Sequence, residues 1–334
     1  MRAVLPAFAA AVLFLPLHAS AQASVANSGD PRLLDTAVVQ GVVPGPGMWK
    51  VRKGANTLWV LGVQSPLPAK MQWEPGKVLS VIRRADAAIA PPSFSIGAKV
   101  GFFARVALVP SLFKARANPG GKQLKEVVPP ALYGRWLALK ARYIGRDKSV
   151  EAWRPIFAAL TLYDRGIRKS GLSSEQVVEP VVAKAMKKRG IKPAPTTVAI
   201  QIADPKSALR EFRGSQVADL DCFEKTLARL EGDLGHMRQR ANAWAVGDVA
   251  TIRSLPTNDQ FSACSKALTD SGLGRKFGMD EMAAKAKAKW LQNAEDALAK
   301  HPVTFATLPM SLAISPDGYI AALAAKGYEV EAPR

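Results

Sequence analysis

Few residues in this chain could do chemistry. It carries three His and two Cys in 334 residues, and one of the three, His18, lies in an apolar leader. That leaves His236 and His301. A catalytic metal needs about three N, O or S ligands and an open position, and a serine nucleophile needs a positioned base. Ser65 and Ser311 are the candidate hydroxyls, and with His so scarce only a Lys such as Lys70 could serve them as base. Glu74, Glu179 and Asp317 are the alternative acids, the carboxylates a shifted metal site would have to recruit. Each has a structural reading. Glu74 and Asp317 stand at expected helix starts, where an acid is favoured, and His301 at a helix end, where a cation is. No Gly-x-Ser-x-Gly, phosphate loop or His-Glu-x-x-His is present.

The elements that must position these residues are legible. Residues 57–68, TLWVLGVQSPLP, read as a buried strand (Leu58, Val60, Leu61, Val63) running through Gly62 into Gln64, Ser65 and Pro66. Strand ends of this kind are where α/β proteins place their sites. Before it, Trp49 and Val51 alternate with Lys50 and Arg52 and lead through Gly54-Ala55-Asn56, which predicts a β-hairpin. After it, Val78, Leu79, Ile82 and Ala85 predict a helix and 87–90 a short strand ended by Pro91-Pro92. The C-terminus repeats the plan. Residues 302–308 form a strand, Ser315 and Pro316 read as N-cap and first residue of a helix, and 328–331 form a strand. The expected fold is α/β, with two strand–helix–strand units at the chain ends joined in one mixed sheet. The QSP loop would then face the loop after residue 309 across a single cleft.

Between them lies a large helical insertion, about 98–300. Apolar spacing of three and four predicts helices over 98–113, 130–145 and 149–170, and a kinked or late-starting one over 174–189, which contains Pro180. The clearest stripe is Leu220, Phe223, Leu227, Leu230, Leu234, Met237, Ala241 and Trp244, predicting one long helix over 216–245 packed against 280–299. Cys222 near its start and Cys264 on a short helix 259–269 are placed to pair, which would contribute about 4 kcal/mol by closing a loop of about forty residues. Two buried free thiols are the other reading.

Bulk properties bound the setting. Arg2, an apolar run to Leu17 and Ala19-Ser20-Ala21 have the layout of a secretory signal, so residues 1–21 are expected to be removed and 22–46 to be a flexible segment. The run is too short to span a bilayer. A soluble, exported, periplasmic or secreted domain over 47–334 is therefore expected, peripheral to a membrane at most. The net charge of +19 favours anionic surfaces, with KAMKKRGIK, 184–192, the densest run. Nucleic acid is not expected, because zinc-finger spacing and aromatic-plus-basic ladders are absent from the sequence. Oligomeric state is left open.

In order and spacing, MWKVRKGANTLWVLGVQSPLP, RRADAAIAPP, WRPIFAALTL, ANAWAVGDVATIRSL and VTFATLPMSLAISPDGYIAALAAKGYEVE resemble the TraB/GumN family, related to Tiki proteases and haem-associated ChaN-like proteins. The resemblance implies a metal-dependent hydrolase whose site is two His and a Glu. Carried over by position, the first His falls on Ser65, the Glu on Pro91, and the second His on Leu312 or Ser311. A further family Glu falls around 192–197, where no acid stands. Its Arg-Asn pair falls around 285–293, where Lys residues and Trp290 are expected to stand instead. Glu179 resembles a family Asp. The expectation is a protein that keeps the cleft (Gly62, Gln64, Ser65, Pro91, Ser311, Leu312) without catalytic residues, metal or cofactor, and binds a peptide or envelope polymer. A hydrolase with shifted carboxylates and a basic binder of anionic envelope components are the alternatives.

Overall fold

A computed structural model describes residues 45–98, 101–175, 177–215, 217–256 and 260–333. The expected export signal, and the flexible segment up to residue 44, lie outside the described residues. Strands β1 (Met48–Lys53) and β2 (Asn56–Val63) form the predicted hairpin, Lys53 paired with Asn56. Gly54 turns it with φ +57, a conformation costly for a residue with a Cβ. The short β3 (Leu67–Pro68) and helix α1 (Gly76–Arg84) lead to β4 (Ala87–Ile89). At the other end come β8 (Val303–Pro309), α14 (Met310–Ile314), α15 (Tyr319–Ala325) and β9 (Glu329–Glu331).

These ends build one five-stranded mixed sheet in the order β4-β8-β2-β1-β9. The C-terminal strand β8 slots between β2 and β4, parallel to both. The two end units are therefore interleaved: the N-terminal unit's own strands meet only through a strand some 240 residues further on. The pattern of β8 explains its central place. Thr304 to Leu308 are all buried, as a strand covered on both faces requires.

The insertion is helical, with three short, unanticipated strands in or beside it. β5 (Ser93–Ala98) pairs in parallel with β7 (Thr197–Ile202) as a separate ribbon, and β6 (Leu172–Ser173) pairs with β3. The helices are α2 (Phe102–Ala115), α3 (Leu124–Val127), α4 (Pro130–Tyr143), α5 (Pro155–Lys169), α6 (Glu179–Arg189) and α7 (Pro205–Gly214). They continue as α8 (Leu220–Gly232), α9 (Leu234–Val246), α10 (Val249–Ser254), α11 (Gln260–Thr269), α12 (Gly272–Lys276) and α13 (Met282–Lys300). In α6, Pro180 sits in the first turn, where its missing N–H costs nothing.

Three expectations are corrected. The long helix over 216–245 is two helices, broken at Asp233. The Asp233 carboxylate is bonded to Arg240 (2.7 Å), lies 3.6 Å from Arg229 Nε, and sits 3.2 Å from His236 Nδ1. This charged cluster, with Asp233 and Arg240 buried, marks the break. Second, α8 packs on α4, α5 and α11, while α13 lies against the sheet and the ribbon. Third, Ser315 caps no helix. Gly318 N donates to Ser315 O, so Ser-Pro-Asp-Gly is a turn, and α15 starts only at Tyr319.

The core follows this division. One apolar cluster joins the sheet to α1, α9 and α13, with Trp49, Trp244, Trp290 and Phe305 fully buried. A second joins α4, α5 and α8 around Trp136 and Phe223. Cys222 and Cys264 form a disulfide between α8 and α11, beside Ile156 and Ala267.

Candidate functional site at the strand ends

Three parallel strands end side by side. Ile89 of β4 pairs with Ala306 of β8, and Val63 of β2 pairs with Pro309. The chain leaves these ends into Pro91, Ser311 and Ser65. A register set by pairs far apart in sequence thus brings together the three positions the sequence singles out.

The floor of the site is apolar and closely packed. A Cβ on Gly62 would stand 2.8 Å from Met310 Cε and 2.8 Å from Trp49 Cζ3, so a side chain here would force Met310 and Trp49 to shift. Trp244 of α9 donates its indole N–H to Gly62 O at 2.7 Å, one position beyond Leu61, the last β2 residue paired with β1. Trp73 packs on Trp244 with ring centroids 5.8 Å apart. Trp73, Trp244 and Met310 form part of the floor without having been read as site residues. Their signals, Trp244 in the Trp-x-x-Gly-Asp segment above all, are read as helix core and family pattern.

Gln64, Ser65 and Ser311 give the rim polar, uncharged side chains. Ser65 and Ser311 are exposed, Leu312 half-buried. The Gln64 side chain turns back to donate to Ser65 O at 3.1 Å. The loop is held from behind, since Pro66 and Leu67 are buried and Ala69 N donates to Gly171 O. On the β4 side, Thr196 Oγ1 donates to Pro91 O at 2.5 Å, and Ala90 N to Ala194 O. Segment 192–197 therefore runs beside Pro91. From α13, Lys289 Nζ reaches Thr197 O at 3.0 Å and Asn293 Nδ2 reaches Pro195 O at 3.2 Å. Lys289, one of the Lys residues expected around 285–293, and Asn293, not anticipated there, stand one helical turn apart beside the site. Only the fold shows that their window meets segment 192–197.

A model of the TraB/PrgY/gumN family matches residues 47–332. The chain belongs to this family. No curated protein and no solved structure matches it.

The metal implied by the resemblance does not fit the residues of this TraB/PrgY/gumN family member at its strand ends. Leu312 has no donor, Pro91 has only a carbonyl that already accepts from Thr196, and Ser65 and Ser311 offer neutral hydroxyls. Each alternative acid has a local setting of its own. Glu74 folds onto Gly76 N at 2.7 Å. Glu179 stands at the start of α6, where burial raises its pKa. Asp317 accepts from the Ser315 hydroxyl, which holds its carboxyl below the usual range, and its main-chain oxygen accepts from Lys287. Among the described residues no three His, Cys, Asp or Glu side chains converge as metal ligands would. His236 is engaged with Asp233. His301 lines an open cavity of about 530 Å³ with Asp86, Arg189 and Lys192, beside the opposite, N-terminal ends of β4 and β8.

Proposed function

We propose that this TraB/PrgY/gumN family member is exported and works in the cell envelope as a non-catalytic binding or regulatory protein whose strand ends accept a peptide or polymer segment. The observation that carries the reading is the donor set where the three parallel strands end: two serines, a proline and a leucine above a floor of Met310 and tryptophans. Exposed hydroxyls bind extended chains by hydrogen bonding, whereas hydrolysis through a metal needs imidazole or carboxylate. Export is supported by the leader over residues 1–21 and by the Cys222–Cys264 disulfide, which persists in oxidising compartments. Among the described residues no helix is long and apolar enough to cross a membrane.

The test is metal affinity. Protein recovered after export, without a His tag, is titrated with zinc, manganese and cobalt by calorimetry, and its bound metal is counted by mass spectrometry. Absence of a stoichiometric site supports the reading. A site of micromolar affinity or tighter, lost in Glu74→Gln, Glu179→Gln or Asp317→Asn, overturns it in favour of a hydrolase with shifted ligands.

A second reading has its own observation. Lys184, Lys187, Lys188, Arg189 and Lys192 are exposed, and the last two face an open cavity. This reading makes the run a contact for anionic envelope components. Three of the five also complement the negative end of α6, so a structural role accounts for part of the run.

A further inference from the structure

The exposed face of α2 is apolar. Val106, Val109, Pro110 and Phe113 recur at helical spacing, and Val106, Val109 and Phe113 are 55%, 44% and 61% exposed. Leu108 and Ala115 face inward, and α7 packs alongside. A surface helix ordinarily turns its polar side to water, so this stripe is unpartnered. At the C-terminal end of the helix, Lys114 of α2 and Arg210 and Arg213 of α7 line an open cavity of about 520 Å³ with Asn118, Pro119 and the paired left-handed Gly120 and Gly121. The cavity lining contains no carboxylate, and among the described residues these three cations have no ion-pair partner.

We propose that α2 is the membrane-docking element of this protein, lying in the interface of an anionic phospholipid bilayer with a lipid phosphate in the Lys114–Arg210–Arg213 cavity. Apolar side chains beside unpaired cations are the signature of an interfacial helix on an anionic leaflet. At 14 residues α2 is too short to span a bilayer, so it lies in the plane. A second copy is the poorer occupant. It would bring together two chains of net charge +19, each with Lys114, Arg210 and Arg213 beside the contact and no carboxylate in that cavity to offset them. The proposal is independent of the reading of the strand ends and of the 184–192 run.

The test is co-sedimentation of protein recovered after export with vesicles of phosphatidylcholine alone and of phosphatidylcholine mixed with phosphatidylglycerol. We expect binding to the anionic vesicles that weakens with added salt. Val109→Asp with Phe113→Asp should lower it about tenfold or more, and Lys114→Glu with Arg210→Glu and Arg213→Glu should remove the preference for anionic lipid. All these sites are exposed, so circular dichroism and melting should match the parent. Neutralising Lys187, Lys188 and Arg189 should leave binding in place. No binding by the parent, equal binding by the α2 variants, loss only in the 187–189 variant, or a dimer in sedimentation velocity that Phe113→Asp dissociates would each overturn the proposal.

Discussion

Trp244 and Trp290 allow the strand-end architecture to be tested by a matched pair of substitutions. Both indoles are buried to within 1% and belong to the same apolar cluster. They differ in one respect. Trp244 Nε1 donates to Gly62 O, whereas Trp290 Nε1 is buried with no hydrogen-bond partner. Replacing either with Phe removes the same volume, at a similar cavity cost of about 1–3 kcal/mol. Trp244→Phe also leaves the Gly62 carbonyl buried and unpaired, a further loss of about 1–3 kcal/mol. Trp290→Phe removes an orphan donor and so recovers part of its cavity cost. The expected difference between the two variants is therefore about 2 kcal/mol or more, roughly 4 °C in melting temperature for a domain of this size. Scanning calorimetry reads it directly. Hydrogen exchange at Val63–Ser65 should quicken in Trp244→Phe alone, because the bond ties the end of β2 to α9. Equal destabilisation, or a more damaging Trp290→Phe, would refute the claim that the indole bond holds the strand end.

Three further outcomes follow from the packing. Replacing Cys222 and Cys264 by Ala should cost about 4 kcal/mol by the chain-entropy model, about 8 °C in melting temperature, readable by calorimetry. Asp233→Ala leaves Arg240 buried without its carboxylate and should cost about 3–5 kcal/mol in urea unfolding. Burial raises the Glu179 pKa, so the native state holds that proton more tightly than the unfolded chain does. Its contribution to stability is then least unfavourable below the unfolded value and worsens as pH rises through the native one. Glu179→Gln should accordingly melt above the parent near neutrality and together with it near pH 4. A gap that widens toward low pH would reverse the assignment.

The sequence by itself determined the local elements and their chemistry. Alternation fixed the first hairpin, three-and-four spacing placed α1, α2, α4 and α5, and the residues at Ser65, Pro91 and Leu312 set which side chains the strand ends carry. The order and spacing of short motifs also pointed to the family. Those signals are short-range, carried by neighbours along the chain. What only the tertiary structure decided are the relations between distant segments. β8 entered the sheet between β2 and β4, which put Ser65, Pro91 and Ser311 at one edge. β5 and β7 each carry a period-two alternation, Phe94 and Ile96 in one and Val198, Ile200 and Ile202 in the other, but nothing local says that these two segments, about a hundred residues apart, pair with each other. The apolar stripe 216–245 ran unbroken while the backbone broke at Asp233, where a carboxylate gathers Arg229, His236 and Arg240. Ser-Pro-Asp-Gly satisfies a helix start and a turn equally well, and the packing of α14 and α15 chose the turn. Periodicity reports which face is buried. What that face is buried against is set by contacts that the one-dimensional pattern does not contain.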